Sequence, residues 1–506
     1  MKTSISHNVL FSLVSWLLPL ISTFIVTPFV VRGLGAEEFG LITLVLGFVS
    51  YSFAFGVGRA VTKYVAEYYG RQQFEQIEAI ISATLVLNLL VGACGTIILA
   101  LSATFLVRDV LLIESHLQAK AILAFYLAAA TVTFLMTQQV FSAVLQAIGR
   151  FDWFSHITTL MSTIFSIGNL IIVFGGGDTL ILLWWNLAVT ILGVGAFYLA
   201  QKRLLPKAKF GFRFRFEILK LVTKFSGGVI AYQILANIWL LLERSFLTRT
   251  LGTQSLTFYA VPMTVAIYLQ VFINSLVLVL MPLVSEIGAG PNNERLLTIY
   301  QRATKSVGLI VVFACIALII SSRRFLALWL GDEFAVRSGD ILVFHVLTFG
   351  AMAFGTVVWQ INEGLGFTTR NAWLVLFWTI SGICLLLWLT PRYGLMGAAA
   401  ARAFGVVITL PLIILLVEWK TFEKILWGFW QKTLFGLVVA GGAGGAAQYL
   451  MLKNLPANWF GLIAATSAAG LIYLAVLFLT GFFSIEEGRW LRSFANRARR
   501  GFIVSF

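Results

Sequence analysis

Apolar residues run through this chain in stretches of about twenty, separated by short polar or glycine-containing joints. Fourteen stretches are predicted as helices: residues 8–31, 39–60, 77–107, 119–147, 154–175, 180–201, 221–245, 254–283, 304–322, 337–363, 372–390, 397–418, 433–451 and 459–480. About 20 apolar residues suffice for a helix to cross the hydrocarbon core of a bilayer, so the longest of these overhang it, tilt or kink. The first runs past signal-peptide length, contains Pro19 and Pro28, and is followed by no small-x-small cleavage site. The pattern predicts an all-α polytopic membrane protein of about 14 transmembrane helices.

Composition narrows the class. Of 506 residues, 59% are hydrophobic and 11% are charged, and the mean hydropathy is +0.93. A soluble domain carries about 25% charge, so a cytosolic enzyme, a secreted domain and a disordered chain are all excluded. The net charge of +15 is explained by Lys and Arg held in cytoplasmic loops; no basic domain exists to hold a nucleic acid. An even number of spans puts both termini on one side. With the N-terminus inside, 25 of the 36 Lys and Arg lie inside, eight of those 25 in the loop 202–224, and ten lie outside. This predicts cytoplasmic termini. No loop is long enough for a folded domain, and the tail is expected to lie as a basic amphipathic helix on the anionic inner leaflet. Cys94, Cys315 and Cys384 fall in apolar stretches and are expected to be core thiols. His7, His116, His156 and His345 have no metal-ligand spacing, so no metal or other cofactor is expected.

The chain repeats itself. Phe29, Arg32, Leu34 and Gly35 recur as Phe246, Arg249, Leu251 and Gly252, at a constant offset of 217. Both segments close the first helix of a six-helix half, so the halves run parallel, related by an axis along the membrane normal. The expected organisation is an N-terminal six-helix bundle (1–201), a basic cytoplasmic connector (202–220), a C-terminal six-helix bundle (221–418), additional helices 13 and 14 (419–480) and the tail (481–506), with the two bundles in pseudo-twofold arrangement. Gly441, Gly442, Gly444 and Gly445 give helix 13 a small-residue face for close packing.

Several segments resemble a known family. Arg32-Gly33-Leu34-Gly35-Ala36-Glu37-Glu38-Phe39-Gly40, and Phe55-Gly56-Val57-Gly58-Arg59-Ala60-Val61-Thr62-Lys63-Tyr64-Val65-Ala66-Glu67, look like the opening of the polysaccharide-biosynthesis, O-antigen-flippase (Wzx-type) family. Tyr259, Pro282-Leu283-Val284-Ser285-Glu286 and Leu330-Gly331-Asp332-Glu333-Phe334 are similar to its second half. The motifs are short and identify the superfamily of multidrug, oligosaccharidyl-lipid and polysaccharide exporters better than the member. The resemblance implies a non-enzymatic flippase in the cytoplasmic (inner) membrane. Its substrate would be polyprenyl-diphosphate-linked oligosaccharide for cell-surface polysaccharide such as lipopolysaccharide O-antigen, moved by alternating access. Other polysaccharide-assembly membrane proteins are implied as partners, beside membrane lipids.

Such a substrate needs cations for the pyrophosphate and hydroxyl or amide groups for the sugars. A charge inside a membrane costs about 2.5–3.5 kcal/mol on insertion scales, which singles out a few residues. The resemblance places Arg59 towards a cavity between the halves, where its planar fork suits a pyrophosphate; otherwise it is a snorkelling interfacial residue. Lys63 lies one turn further. Arg402 sits deeper, between Ala401 and Ala403, as either a ligand or half of a buried ion pair. Glu243 either binds a coupling proton or sodium ion, or holds Arg244 or Arg32 as a structural gate; Arg244 is itself a cavity candidate. Gln233 and Asn237, and likewise Gln270 and Asn274, are four residues apart and share a helix face. They either line a sugar path or make interhelical hydrogen bonds.

Rival functions differ in what they need. A membrane glycosyltransferase or O-antigen polymerase would use sizeable outer loops, whereas the loop holding Glu37 and Glu38 is short and the pair reads as helix capping. No Walker A motif is present. A cation-coupled multidrug antiporter is weakened by the absence of any carboxylate in helix 1. A lipid II flippase of the same superfamily stays open.

Overall fold

A computed structural model describes residues 5–52, 57–206, 216–277, 280–288 and 293–483. Regular structure among them is helical throughout. In chain order the helices are α1 (Ile5–Leu34), α2 (Ala36–Ser52), α3 (Val57–Gly70), α4 (Phe74–Phe105), α5 (Gln118–Ala147), α6 (Phe151–Phe174), α7 (Thr179–Leu204), α8 (Phe216–Val277), α9 (Leu280–Gly288), α10 (Asn293–Leu330), α11 (Asp332–Gly364), α12 (Thr368–Phe422), α13 (Trp427–Asn454) and α14 (Trp459–Leu479). A single π-helical turn, Leu106–Val110, follows α4.

Among the described residues, ten helical stretches are long and apolar enough to cross a membrane. Two of them bend at an internal glycine, Gly252 in α8 (φ 85°, ψ 168°) and Gly394 in α12 (φ 58°, ψ −138°). Those corners separate the expected helices 221–245 and 254–283, and 372–390 and 397–418, without a loop. α1 occupies the first expected stretch; α2 covers the second only to Ser52, and the last residues of that stretch, from Val57, belong to the separate helix α3. The stretch 304–322 extends to 293–330 in α10, adding polar turns with Arg295, Arg302, Arg323 and Arg324.

The repeat is visible in the backbone. Gly35 and Gly252 both hold a left-handed conformation (φ +80° and +85°). So do Gly149 and Gly366 (φ +74° and +80°), also 217 residues apart. A residue with a side chain pays a steric cost at positive φ and glycine does not, so each corner can turn between helices in at most three residues.

The chain forms two compact units: Met1–Val261 with Ala372–Ala401, and Pro262–Asn371 with Arg402–Phe506. They divide the chain at different points from the expected connector. One boundary falls at Pro262, whose ring nitrogen cannot donate to the carbonyl of Phe258, so the helix lacks a bond there.

In the first unit α5 packs against α3, α4 and α7, and α1 packs on α6. Polar groups tie the apolar faces: Asn88 donates to the carbonyl of Met136 (2.9 Å), and Thr96 meets Thr133 (3.0 Å) beside Gly92. In the second unit α10 packs on α11 and α13, and α13 on α14. The small face of α13 is filled from two sides, Gly441 and Gly445 by Ile316 and Ile320, and Gly444 by Tyr473. The Tyr473 hydroxyl donates to the carbonyl of Leu309 (3.0 Å) and Gln448 to that of Ala317 (3.1 Å). These bonds fix helices 13 and 14 on α10.

The thiols depart from expectation. Cys94 and Cys384 are exposed and Cys315 is part-buried. An apolar run in a membrane protein marks lipid contact as readily as core, because the surrounding solvent is hydrocarbon.

Candidate functional site

In the first unit the corner at Gly252 folds α8 back on itself, so residues sixteen apart meet. Glu243 is fully buried and accepts a hydrogen bond from the Tyr259 hydroxyl at 2.6 Å. Arg244 follows immediately, and neighbours on a helix point about 100° apart. Its Nη1 donates to the carbonyl of Thr43 on α2 at 2.8 Å. The guanidinium lies over Gly47, where a side chain would take its place. A cation and a carboxylate thus sit side by side in sequence and reach different helices. Asn237, on the same arm of α8, is half-buried.

α3 buries Ala60, Val61, Tyr64 and Val65 against Ile77, Ile80 and Ile81 of α4 and Val140, Ala143 and Val144 of α5. Lys63 lies off that face, exposed, with its ammonium 5.0 Å from the Tyr64 ring centroid. The side chains of Arg59 and Gln233 lie outside the described residues.

In the second unit Arg402 is 6% exposed. Its guanidinium carbon stands 5.8 Å from the centroid of Phe349, a distance at which a cation is attracted by the ring face. His345, one turn earlier on α11 and fully buried, approaches the same ring at 6.4 Å. Ala401 and Ala403 flank Arg402, both buried. Asn274 accepts the Thr356 hydroxyl at 2.6 Å, an interhelical bond between α8 and α11. Gln270 is half-buried. The sequence candidates therefore fall into two sets, with Lys63, Asn237, Glu243 and Arg244 in one unit and Gln270, Asn274 and Arg402 in the other.

Among the described residues one further buried charge, Glu418, was not a candidate from the sequence. Glu418 is fully buried and accepts from Tyr300 (2.7 Å), Trp430 Nε1 (2.7 Å) and the Leu426 amide (3.0 Å). Its position at the end of an apolar stretch carries no signal of burial in the sequence. The Tyr259 partner of Glu243 was accessible in principle, since a corner at 252 sets residues nine before and seven after it side by side.

The short acidic pair has a larger role than capping. Glu37 and Glu38 stand in the first turn of α2, but Glu37 meets His116 (3.0 Å) and Glu38 meets Lys120 (2.5 Å) and Thr179 (2.9 Å). Lys120 also reaches Asp178 (3.2 Å), which caps α7 through the Leu180 and Ile181 amides. Burial disfavours the charged form of Asp178. The Ile181 amide and the Lys120 ammonium outweigh it and hold the carboxyl below its usual range. Glu114 accepts from the amide (3.0 Å) and hydroxyl (3.1 Å) of Thr253, just past the Gly252 corner.

The chain is similar to known proteins. A curated Shigella flexneri protein named "Putative O-antigen transporter" is 22% identical over 430 residues, which cover 82% of this chain and 97% of that one. The lipid II flippase MurJ, in an inward closed conformation, matches with a TM-score of 0.68 at 14% identity over 92% of this chain and 97% of its own. An inward-facing multidrug resistance MATE family transporter of the MOP superfamily matches at 0.66 and 17% identity, over 82% of this chain and 99% of its own. The protein has the multi-pass helical fold of these transporters. A model of the polysaccharide biosynthesis protein family matches residues 5–288, more than half the chain, and the protein belongs to that family.

Proposed function

We propose that the protein is a flippase that moves polyprenyl-diphosphate-linked oligosaccharide across the cytoplasmic membrane for cell-surface polysaccharide synthesis. The observation that carries this reading is Arg402, a buried guanidinium 5.8 Å from the Phe349 ring centroid inside a membrane bundle. A cation kept at that depth is costly, and a pyrophosphate that must pass through hydrocarbon is a reason to keep it. Family membership and the near full-length match to the Shigella flexneri protein support the substrate class. The basic connector and tail support cytoplasmic termini.

In this mechanism two six-helix halves open alternately to each side while the polyprenyl tail stays in lipid. Arg59, Lys63, Arg244 and Arg402 neutralise the pyrophosphate. Gln233, Asn237, Gln270 and Asn274 offer amides to the sugars, Asn274 with its oxygen held by the Thr356 hydroxyl. Glu243, buried beside Tyr259, takes the coupling proton or sodium ion. No covalent step is required, and other polysaccharide-assembly membrane proteins would supply and consume the lipid-linked sugar.

A lipid II flippase is the second reading. It is favoured by the MurJ match, which extends over 92% of this chain against 82% for the MATE transporter. The two are separated by translocation in proteoliposomes loaded with labelled lipid-linked O-antigen repeat or lipid II, followed with an external sugar-modifying probe. Movement of the oligosaccharide lipid, lost in Arg59→Ala and Arg402→Ala protein that inserts normally, supports the proposal. Efflux of organic cations with no lipid movement overturns it in favour of a drug antiporter.

A further inference from the structure

The corners at Gly149 and Gly366 carry a second correspondence. Arg150 and Trp153 stand three positions apart, and the guanidinium lies 6.0 Å from the indole centroid. At the positions 217 further on stand Phe367 and Arg370, with the guanidinium 3.8 Å from the phenyl centroid. The two members of the pair have exchanged places and the contact between cation and ring is kept. A third position follows the same offset: Arg203 closes α7 and Lys420 stands in the last turn of α12. Arg203 comes to 5.7 Å from the Trp153 ring, so two guanidiniums flank one indole. Near the second corner Arg370 reaches the Thr421 hydroxyl, beside Lys420.

The charges at the first corner are not balanced. Asp152 engages Nε and Nη2 of Arg150 at 2.9 and 2.7 Å, fixing that guanidinium as one wall. Arg203 is exposed and meets no hydrogen-bond acceptor among the described residues, and neither does the Trp153 indole N–H. The base of the site is apolar, with Ile157, Phe197 and Ala200 buried beneath Trp153 and Leu204. Leu199, one turn before Arg203, is exposed, and so are Leu160 and Phe377, again 217 residues apart. Donors without acceptors stand above an outward apolar surface, which is the chemistry of a phosphate with hydrocarbon attached.

We propose that these corners are two equivalent lipid-phosphate sites, at which Arg203 with Trp153 in one unit, and Arg370 with Phe367 and Lys420 in the other, hold the phosphate of an anionic lipid. Under the orientation proposed above both lie in the inner leaflet; the binding itself does not depend on transport. Phosphatidylglycerol and polyprenyl phosphate share this chemistry.

Native mass spectrometry of the full chain in detergent tests the proposal, with phosphatidylglycerol, phosphatidylcholine or undecaprenyl phosphate added in turn. The wild type should keep phosphatidylglycerol adducts in preference to phosphatidylcholine. Arg203→Gln and Arg370→Gln should each weaken that preference about fivefold, the factor for one basic contact near an anionic surface, and the double variant should abolish it. Trp153→Phe keeps an aromatic face and removes the indole donor together with part of the ring, so a partial loss of preference in a protein of unchanged melting temperature reports the site. Retention of undecaprenyl phosphate in place of phosphatidylglycerol assigns the phosphate to the transported lipid. Unchanged headgroup preference in a correctly sized double variant overturns the proposal and leaves the stacked pairs as packing alone.

Discussion

Tyr259 donates its hydroxyl to Glu243 at 2.6 Å across the corner formed by Gly252, and both residues are buried. A buried carboxylate is tolerated when hydrogen bonds replace its lost water. Tyr259→Phe keeps the ring and removes the donor, and is expected to lower stability by about 1–3 kcal/mol, read as a fall in the detergent melting temperature. Glu243→Gln keeps size and hydrogen bonding but cannot exchange a proton. If Glu243 couples transport, this variant should insert normally and lose its response to an imposed proton or sodium gradient in proteoliposomes. An unaltered gradient response would leave Glu243 a structural residue.

Gly35 and Gly252 share a left-handed backbone, yet substitution should affect them unequally. A methyl group at Gly35 meets nothing within 4 Å, whereas at Gly252 it would come within 2.6 Å of the Glu114 carboxylate. That carboxylate holds the amide of Thr253. Gly35→Ala should cost only the backbone strain, about 1–3 kcal/mol. Gly252→Ala should cost more, since it also displaces the Glu114 contact. Comparing thermal unfolding of the two variants measures the difference.

Much of the fold was legible because a spanning helix needs a long apolar run and a tight corner needs glycine. The positions of Gly35 and Gly252 could be matched from sequence alone. The match between Gly149 and Gly366 could have been found at the same offset, but its flanking residues differ, and the exchange of Arg150 and Trp153 for Phe367 and Arg370 hides it from residue-by-residue comparison. Burial was less legible. Leu101 and Val144 look alike in sequence, yet one faces outward and the other is fully buried, because lipid and core are equally apolar. The charged candidates could be flagged by their cost in the membrane, but Thr43, Tyr259, Phe349 and Thr356, which position Arg244, Glu243, Arg402 and Asn274, are ordinary residues with no such signal.

Glu418 makes a contrasting prediction. Three donors from α10, α13 and the turn before α13 converge on it. Hydrogen bonds to a charged group contribute about 1.5–3 kcal/mol each way they are tested, and removing the acceptor leaves buried donors without one. Glu418→Ala should therefore release the appended helices and lower thermal stability by on the order of 3 kcal/mol. Limited proteolysis of the 423–426 turn should accelerate. Transport per folded molecule should change little, since the carboxylate is saturated by packing groups.

Acid should act at Asp178. Its carboxyl is held below the usual range in the folded protein, so the ionised form stabilises the fold. That contribution is complete above the ordinary carboxylate value of about 4, and is lost as pH falls through the depressed folded value. The melting temperature should be insensitive to Asp178 between neutrality and about pH 5 and decline below about pH 4. Asp178→Asn should be less stable at neutral pH and show a shallower acid decline. An identical acid profile in the variant would assign that limb to other carboxylates.

Arg402 separates the transport readings by shape as well as charge. Its guanidinium is planar, lies within cation–π distance of Phe349 and can grip two phosphate oxygens at once, whereas a lysine ammonium is a point charge with no plane. If the role is to hold a pyrophosphate, Arg402→Lys should insert and retain a reduced activity, while Arg402→Met, similar in length and uncharged, should lose lipid translocation by at least about tenfold, equivalent to about 1.4 kcal/mol. Phe349→Leu keeps the cation and removes the ring, so it should fall between them. If instead the site serves organic cations, the order reverses. Removing a buried positive charge then lowers the repulsion on the substrate, and Arg402→Met should export cations faster than the wild type. Measuring labelled lipid movement and cation efflux on the same four proteins distinguishes the two, because no single packing defect raises one and lowers the other.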